Sequence, residues 1–254
     1  MTGDKVQALV FGEVAEEYDR VRPGYPPALF EDMLGYSVPT TALEIGAGTG
    51  KATVTVASRG VHVLALEPDP AMALVLRQRV AGLAVNIAMA SLESYEPEEA
   101  VDLVYCAQAF HWTDEKTRWS RTAAALRPGG SLALFWNMER LPGAALRAAA
   151  AAVLDEYELR PWSEWPESDQ LEPDPELAGR PEFAEFRQEL YRWERALPRE
   201  DYLANLSTQS SYRMLEDEDR DELLDKLRGV LPDPVTLEMA TALYLAKRVQ
   251  SSRF

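Results

Sequence analysis

Apolar residues along this chain gather into five short runs, near residues 41 to 46, 62 to 67, 85 to 90, 101 to 108 and 131 to 137. Each run has the length and composition of a buried strand, and helical periodicity fills the stretches between them. Strands that alternate with helices predict a parallel sheet covered on both faces. In such sheets ligands bind beyond the carboxyl ends of the strands, where the strand order reverses. Ahead of this region, Glu13 to Arg20 and Pro26 to Gly35 read as two helices, the second opened by Pro26 and Pro27, and they are placed to close over a ligand. Behind it, Pro142 to Tyr157 is alanine-rich and helical. Arg160 to Pro181 is rich in Pro, Glu and Asp around Trp162 and Trp165; it is a solvated loop or a lid, and its composition favours the loop.

The remaining pattern predicts a strand over Phe183 to Ala196, a helix that starts near Glu216 and includes Leu223 to Val230, and a closing strand over Val235 to Lys247. Ala and Leu are frequent in the last segment, so periodicity alone leaves helix open there. One elaborated α/β domain of 254 residues is expected. Its segments are a helical cap at 1–37, a ligand-binding core at 38–140, a helix and acidic insertion at 141–182, and closing strands and helices at 183–254.

The junction after the first strand narrows the ligand. Glu44 precedes Gly46, Gly48 and Gly50, three glycines spaced at two, and a helix follows near Lys51. Glycines let the chain turn sharply with its backbone close to a ligand, and the helix start presents unpaired N–H groups to it. A dinucleotide fingerprint starting at Gly46 requires glycine or alanine at position 51, where Lys51 stands. A phosphate-binding P-loop requires glycine where Ile45 stands and a hydroxyl where Ala52 stands. What remains is E-x-G-x-G-x-G. The second strand then ends in Glu67, seventeen residues beyond Gly50, where a carboxylate can accept both hydroxyls of a ribose.

This pair of signals resembles the class I S-adenosylmethionine-dependent methyltransferases. The resemblance continues in order through Val101 to Trp112, similar to the family's fourth strand and its active-site end, and Ala125 to Asn137, similar to the helix end, turn and fifth strand. Phe11-Gly12, Tyr18-Asp19 and Arg22-Pro23-Gly24-Tyr25-Pro26, together with Ala109-Phe110-His111-Trp112, are similar to a small-molecule branch that includes trans-aconitate methyltransferase-like proteins. The likeness is close over residues 8 to 137 and loose beyond. It implies a Rossmann-like, doubly wound, seven-stranded and mostly parallel sheet with an antiparallel C-terminal hairpin, an N-terminal helical cap and a C-terminal insertion. S-adenosyl-L-methionine is the implied cofactor and S-adenosyl-L-homocysteine the product.

The same resemblance distributes the site. Glu67 takes the ribose, with a solvated acid in the turn Pro68-Asp69-Pro70 as the bland alternative. Gly46, Ala47, Gly48 and Gly50 approach the cofactor by backbone, Glu44 orients the loop or the methionine amino group through water, and Pro68 and Met72 flank the ribose side. Ser91 stands where family members often carry an acid for the adenine amine, which leaves the Leu92 backbone as the firmer adenine contact. Ala107, Gln108 and Phe110 border the cofactor at the end of the fourth strand. Tyr18, Arg22 and Tyr25 form an N-terminal clasp, with Arg22 holding the methionine carboxylate or an acidic substrate, or else standing as a surface cation. Tyr25, Trp112, Trp136 and Asn137 line the acceptor side, where core packing is an equal alternative for each aromatic ring. His111, near the expected position of the methyl group, is a general base, a hydrogen-bonding group or a packing residue. His62, at a strand start, is structural.

Composition trims the partners. Lys and Arg total 26 against 42 Asp and Glu, a net charge of −16, which disfavours nucleic-acid and anionic membrane surfaces. The single cysteine, Cys106, lies inside an apolar run and reads as an inert buried thiol in a reducing compartment. No basic-apolar leader, long membrane run or metal-ligand spacing is visible, so a cytoplasmic monomer or homodimer with a small-molecule substrate is expected. Methyl transfer to O, N or C is the favoured activity. A non-catalytic cofactor-binding protein and a nicotinamide oxidoreductase are the alternatives, the latter opposed by Lys51 and by the lack of a Tyr-x-x-x-Lys signature.

Overall fold

In a computed structural model, residues 15–160 and 165–250 are described. Phe11, Gly12, the first two residues of the expected first helix and Trp162 lie outside them. The elements in chain order are α1 (Ala15–Val21), α2 (Pro27–Ser37), β1 (Thr41–Ile45), α3 (Lys51–Ala57), β2 (His62–Leu66), α4 (Pro70–Arg79), β3 (Val85–Ala88), β4 (Val101–Ala107), α5 (Arg118–Ala125), β5 (Leu126–Arg140), α6 (Ala144–Asp155), α7 (Pro175–Ala178), β6 (Phe183–Leu197), α8 (Arg199–Ser207), α9 (Ser210–Arg213), α10 (Asp217–Val230) and β7 (Val235–Arg248). A single turn of 3-10 helix, Phe110–Trp112, follows β4.

The seven strands order as β3-β2-β1-β4-β5-β7-β6, parallel from β1 to β5 and antiparallel at the C-terminal strands. The order reverses between β1 and β4, so the loops after β1 and β4 flank the switch point. Closing strand β7 inserts between β5 and β6, and its fourteen residues settle the helix-or-strand ambiguity in favour of strand.

Two compact units make up the chain. The first joins Gly24–Trp136, Ser168–Tyr191 and Thr241–Phe254; the second joins Met1–Pro23, Asn137–Glu167 and Arg192–Ala240.

The first unit holds β1 to β4 and the opening of β5. Ala42 to Ile45 and Asp102 to Cys106 are buried without a break, the pattern of central parallel strands covered on both faces. One face packs on Leu29, Phe30 and Met33 of α2 and Val56 of α3, the other on Trp119 and Ala123 of α5. Local chemistry sets the helix starts. Asp69 caps α4 by accepting from the Ala71 and Met72 N–H groups at 2.8 and 3.0 Å, with Pro70 at the first helical position. Pro27 opens α2 in the same way, and Val38 closes it in the left-handed region at φ 45°. Asp102 holds the start of β4 to that of β1, accepting from the Thr40 N–H at 2.6 Å, the Thr40 hydroxyl at 2.8 Å and the Thr41 N–H at 3.1 Å.

The expected turn Arg127-Pro128-Gly129-Gly130 lies instead within β5, which starts directly where α5 ends. Its register against β4 is irregular between Val101 and Leu103, and a side chain on Gly130 would stand 2.9 Å from the Arg127 carbonyl oxygen. A bulge takes up what the glycine pair suggested was a turn.

The second unit has its own core: Leu154 of α6, Leu203 and Leu206 of α8, Leu223 and Leu227 of α10, and Val235, Leu237 and Met239 of β7. Helix α10 starts with Asp217, Glu218 and Asp219 and carries Arg228 in its last turn, matching the helix dipole at both ends. Trp165 is pinned between the Arg140 and Arg192 guanidinium groups, 4.2 and 5.5 Å from its ring centre, and Arg192 donates to the Pro166 carbonyl at 2.7 Å. At that point the acidic segment is fixed by cation–π contacts.

Candidate functional site

The turn after β1 is built as the glycine spacing demands. Gly46, Gly48 and Gly50 have φ of 66°, 57° and 90°, a region that side chains resist. Two of these glycines are also required by their neighbours: a Cβ on Gly46 would stand 2.6 Å from Ala109 Cβ, and one on Gly50 would stand 2.5 Å from Leu76 Cδ1. A Cβ on Gly48 would meet nothing within 4 Å. Gly48 alone of the three faces open space, so the loop presents bare backbone to a cradle. The Ala47 N–H donates to the Leu66 carbonyl at 3.0 Å, and the Gly50 N–H to that of Ala47 at 3.0 Å, which holds the turn against β2.

Glu67 closes the floor of this cradle. It is 6% exposed, and its two oxygens accept from different backbone donors: Gly48 N–H at 2.7 Å and Asp69 N–H at 2.8 Å. Burial raises the Glu67 pKa, and the two N–H bonds oppose that rise. An ionised carboxylate offers about four lone-pair directions. Two are taken by the backbone, leaving one on each oxygen for a diol.

Glu44 lies under the loop rather than facing the cradle. It is 1% exposed and accepts from the Thr53 hydroxyl at 2.5 Å and the Tyr105 hydroxyl at 2.9 Å, so it joins β1 to α3 and β4. Burial pushes its pKa up to about 8. Its role in orienting the loop is thus indirect, through the elements that flank it.

After β3, Ser91 is engaged in its own turn: its N–H donates to the Ser94 hydroxyl at 3.0 Å, and Ser94 Oγ stands 3.4 Å from Ser91 Oγ. The Leu92 side chain is in the core at 2% exposure. Met72 is equally buried, at 3%. Pro68 is exposed beside Glu67.

After β4, Ala107 is half-buried and Gln108 takes a left-handed φ of 64° while its N–H donates to the Phe135 carbonyl at 3.0 Å. Phe110 turns inward against Trp119, with ring centres 4.9 Å apart. His111 turns outward between two indoles: Trp112 lies 4.6 Å away centre to centre, and Trp136 Nε1 is 3.5 Å from His111 Nδ1. Partial burial and the nearby Arg118 cation lower the His111 pKa. The Cys106 thiol is fully buried, donates to the Ile45 carbonyl at 3.0 Å and has its pKa pushed up by burial, as an inert thiol should. His62 is exposed at the start of β2.

The expected clasp divides. Tyr25 belongs to the first unit, where its ring packs edge-on against Phe135 at 4.9 Å and Phe30 at 6.2 Å. Tyr18 and Arg22 belong to the second unit: the Arg22 guanidinium lies 5.0 Å over the Tyr18 ring and its Nε donates to the Thr208 hydroxyl at 2.9 Å. Asn137 is half-buried and also falls in the second unit.

Several supporting groups escaped the motif reading. Thr53 and Tyr105 carry the Glu44 strut, and Asp69 both caps α4 and donates to Glu67. Glu176 on α7 accepts from Arg118 and from the Trp119 indole, fastening part of the acidic segment to α5. In the second unit, Glu139 lies near Arg22 and Arg195, and its carboxylate stands 3.5 Å from Asn205 Nδ2. Only Asp69, in a Pro-Asp-Pro turn before a helix, had a local sequence signal.

A methyltransferase domain family model matches residues 42–130, which span β1 to the bulge of β5. An uncharacterized methyltransferase of Mycobacterium tuberculosis (strain ATCC 25618 / H37Rv) is 39% identical over 132 residues, 51% of this chain and 53% of that protein. Trans-aconitate 2-methyltransferase of Methylobacterium radiotolerans is 32% identical over 141 residues, 54% of this chain and 52% of that protein. The chain spans about half the length of the curated relatives it matches. Among solved structures, a candidate type II methyltransferase from Anaeromyxobacter dehalogenans superimposes with a TM-score of 0.62 at 23% identity, over 90% of this chain and 99% of that one. At that identity the likeness is one of fold. No group of three or more potential metal ligands, and no helix long and apolar enough to cross a membrane, occurs among the described residues.

Proposed function

We propose that this chain, which resembles the class I S-adenosylmethionine-dependent methyltransferases in the domain matched over residues 42–130 and in its fold, transfers the methyl group of S-adenosyl-L-methionine to a small-molecule acceptor. The observation that carries this reading is the pairing of Gly48, whose missing side chain opens onto free space, with the Glu67 carboxylate hydrogen-bonded to its N–H. A nucleoside fits this cradle: the backbone of Gly46 to Gly50 lies along it, and Glu67 keeps one acceptor direction per oxygen for the ribose hydroxyls. The Leu92 backbone and Ser91 border the adenine, with Pro68 and the α4 start on the ribose side. Ala107, Gln108 and Phe110 bound the opposite wall through their backbone.

The sulfonium supplies an already activated methyl group. The protein's own residues orient the acceptor, keep water out and handle any proton. His111, Trp112 and Trp136, on the loop after β4 and on β5, are the residues we assign to the acceptor. Tyr25, in the same unit as the cradle, is assigned to the acceptor as the resemblance implies. The acid-rich composition supports a small molecule over nucleic acid.

Calorimetry with S-adenosyl-L-methionine, S-adenosyl-L-homocysteine and NAD tests the cofactor: the first two bind and NAD does not. A screen of small acceptors, read by mass spectrometry for a gain of one methylene mass, tests the transfer. Binding of NAD in preference to both sulfur compounds overturns the reading.

A further inference from the structure

One nitrogen of His111, Nδ1, has a defined neighbour. Nδ1 faces the Trp136 indole, whose Nε1 stands 3.5 Å away and carries a hydrogen that only points outward as a donor. A neutral imidazole that accepts at Nδ1 carries its own proton on Nε2. The ring is exposed overall; desolvation beside the indoles, and then the Arg118 cation of α5, favours its neutral form. Protonating Nδ1 would set two N–H donors against each other beside a guanidinium.

We infer that Trp136 is a positioning residue that fixes the tautomer of His111, so that His111 meets the methyl acceptor as a hydrogen-bond donor through Nε2–H and takes no proton from it. This inference rests on the methyl-transfer reading for its functional consequence, while the tautomer itself does not. The group of the acceptor that faces Nε2 then bears a lone pair, an oxygen or an unprotonated nitrogen. An acceptor that must lose a proton loses it to solvent or to another group.

The test is nitrogen NMR of histidine-labelled protein without any cofactor. The chain has only two histidines, so His62→Gln assigns the spectrum. The expected result is an unprotonated Nδ1 and a protonated Nε2 for His111 in the unaltered protein. In Trp136→Phe, the bond that stabilises the neutral ring is gone, so Nδ1–H becomes populated and the His111 pKa rises. A His111 ring protonated at Nδ1 in the unaltered protein overturns the inference even if Trp136→Phe does not fold. So does a folded Trp136→Phe with an unchanged His111 spectrum. Once an acceptor is known, His111→Gln, whose amide also donates, retains most turnover at every pH and His111→Phe does not; a loss of about 100-fold or more in His111→Gln, with the acidic limb of the pH profile removed, would identify a base and refute the donor role. Failure of the methyl-transfer reading would appear separately, as an absence of S-adenosyl-L-homocysteine binding with the tautomer intact.

Discussion

Replacing Glu67 probes the cradle at its floor, and the structure shows that the substitution does two things at once. The carboxylate holds the Gly48 and Asp69 N–H groups at 2.7 and 2.8 Å, and in our reading it also accepts the ribose hydroxyls. Hydrogen bonds to a charged group contribute about 1.5 to 3 kcal/mol each. Glu67→Ala leaves two donors without their acceptor; with water entering the vacated space, unfolding free energy falls by about 2 to 4 kcal/mol. Affinity for S-adenosyl-L-homocysteine falls by about 2 kcal/mol or more, roughly 30-fold in Kd. To separate loop from ribose, calorimetry compares adenosine with 2′,3′-dideoxyadenosine. The unaltered protein prefers adenosine, and Glu67→Ala loses that preference while losing less affinity for the dideoxy compound. Equal losses for both ligands would mean that Glu67 acts through the loop alone. Unchanged S-adenosyl-L-homocysteine affinity in a folded variant would refute the cradle assignment altogether.

Three further substitutions follow from the same geometry. Gly48→Ala places a methyl group in open space at φ 57°, so stability falls by about 1 kcal/mol while cofactor affinity falls at least 10-fold by calorimetry; normal binding means that the cofactor does not lie on this turn. Glu44 has a pKa raised from 4.5 to about 8, and a raised carboxyl pKa gives stability that is full below 4.5 and is lost as pH rises through 8. Thermal melting of Glu44→Gln should therefore lack the fall between those values that the unaltered protein shows; parallel melting curves against pH would show that Glu44 ionises as freely as in the unfolded chain. Asp102→Asn replaces an acceptor of three hydrogen bonds whose pKa is lowered chiefly by the Thr40 N–H, so urea unfolding should show a loss of about 2 to 4 kcal/mol at pH 7 that shrinks as pH falls through the native Asp102 pKa; a constant difference across that range would contradict it.

The sheet was legible because burial on both faces writes itself as short, mostly apolar runs. Ala42 to Ile45 and Asp102 to Cys106 are interrupted only by Glu44 and Asp102, whose carboxylates are hydrogen-bonded inside the fold, so the length of the apolar run decides the assignment. Boundaries failed where a local signal had a second use. Gly129 and Gly130 punctuate a chain in either a turn or a bulge, and only the neighbouring strand decides between them. β7 read ambiguously as helix or strand because Ala and Leu suit either buried element; pairing between β5 and β6 settles it, and that is a long-range fact. The grouping into two units was hidden for the same reason, since Asn137–Glu167 and Arg192–Ala240 assemble with residues far earlier in the chain.

For the site, the sequence exposed the residues whose chemistry is set by their own backbone and concealed those set by neighbours. Three glycines at φ of 57° to 90° are a local requirement, and so is a carboxylate seventeen residues on at the end of the adjoining strand. Glu44 shows the other case. Its position before the glycines suggested that it orients the loop or reaches the methionine amino group through water; β1 turns that side chain inward, where Thr53 and Tyr105 occupy it, an arrangement suited to the first of these roles. A carboxyl group in that place costs stability when charged and gives nothing directly to a nucleoside. Its value is to hold the start of α3 and the middle of β4 to the strand that delivers Gly46. The loop can therefore keep three left-handed glycine conformations before any ligand arrives, and binding energy need not be spent on ordering them.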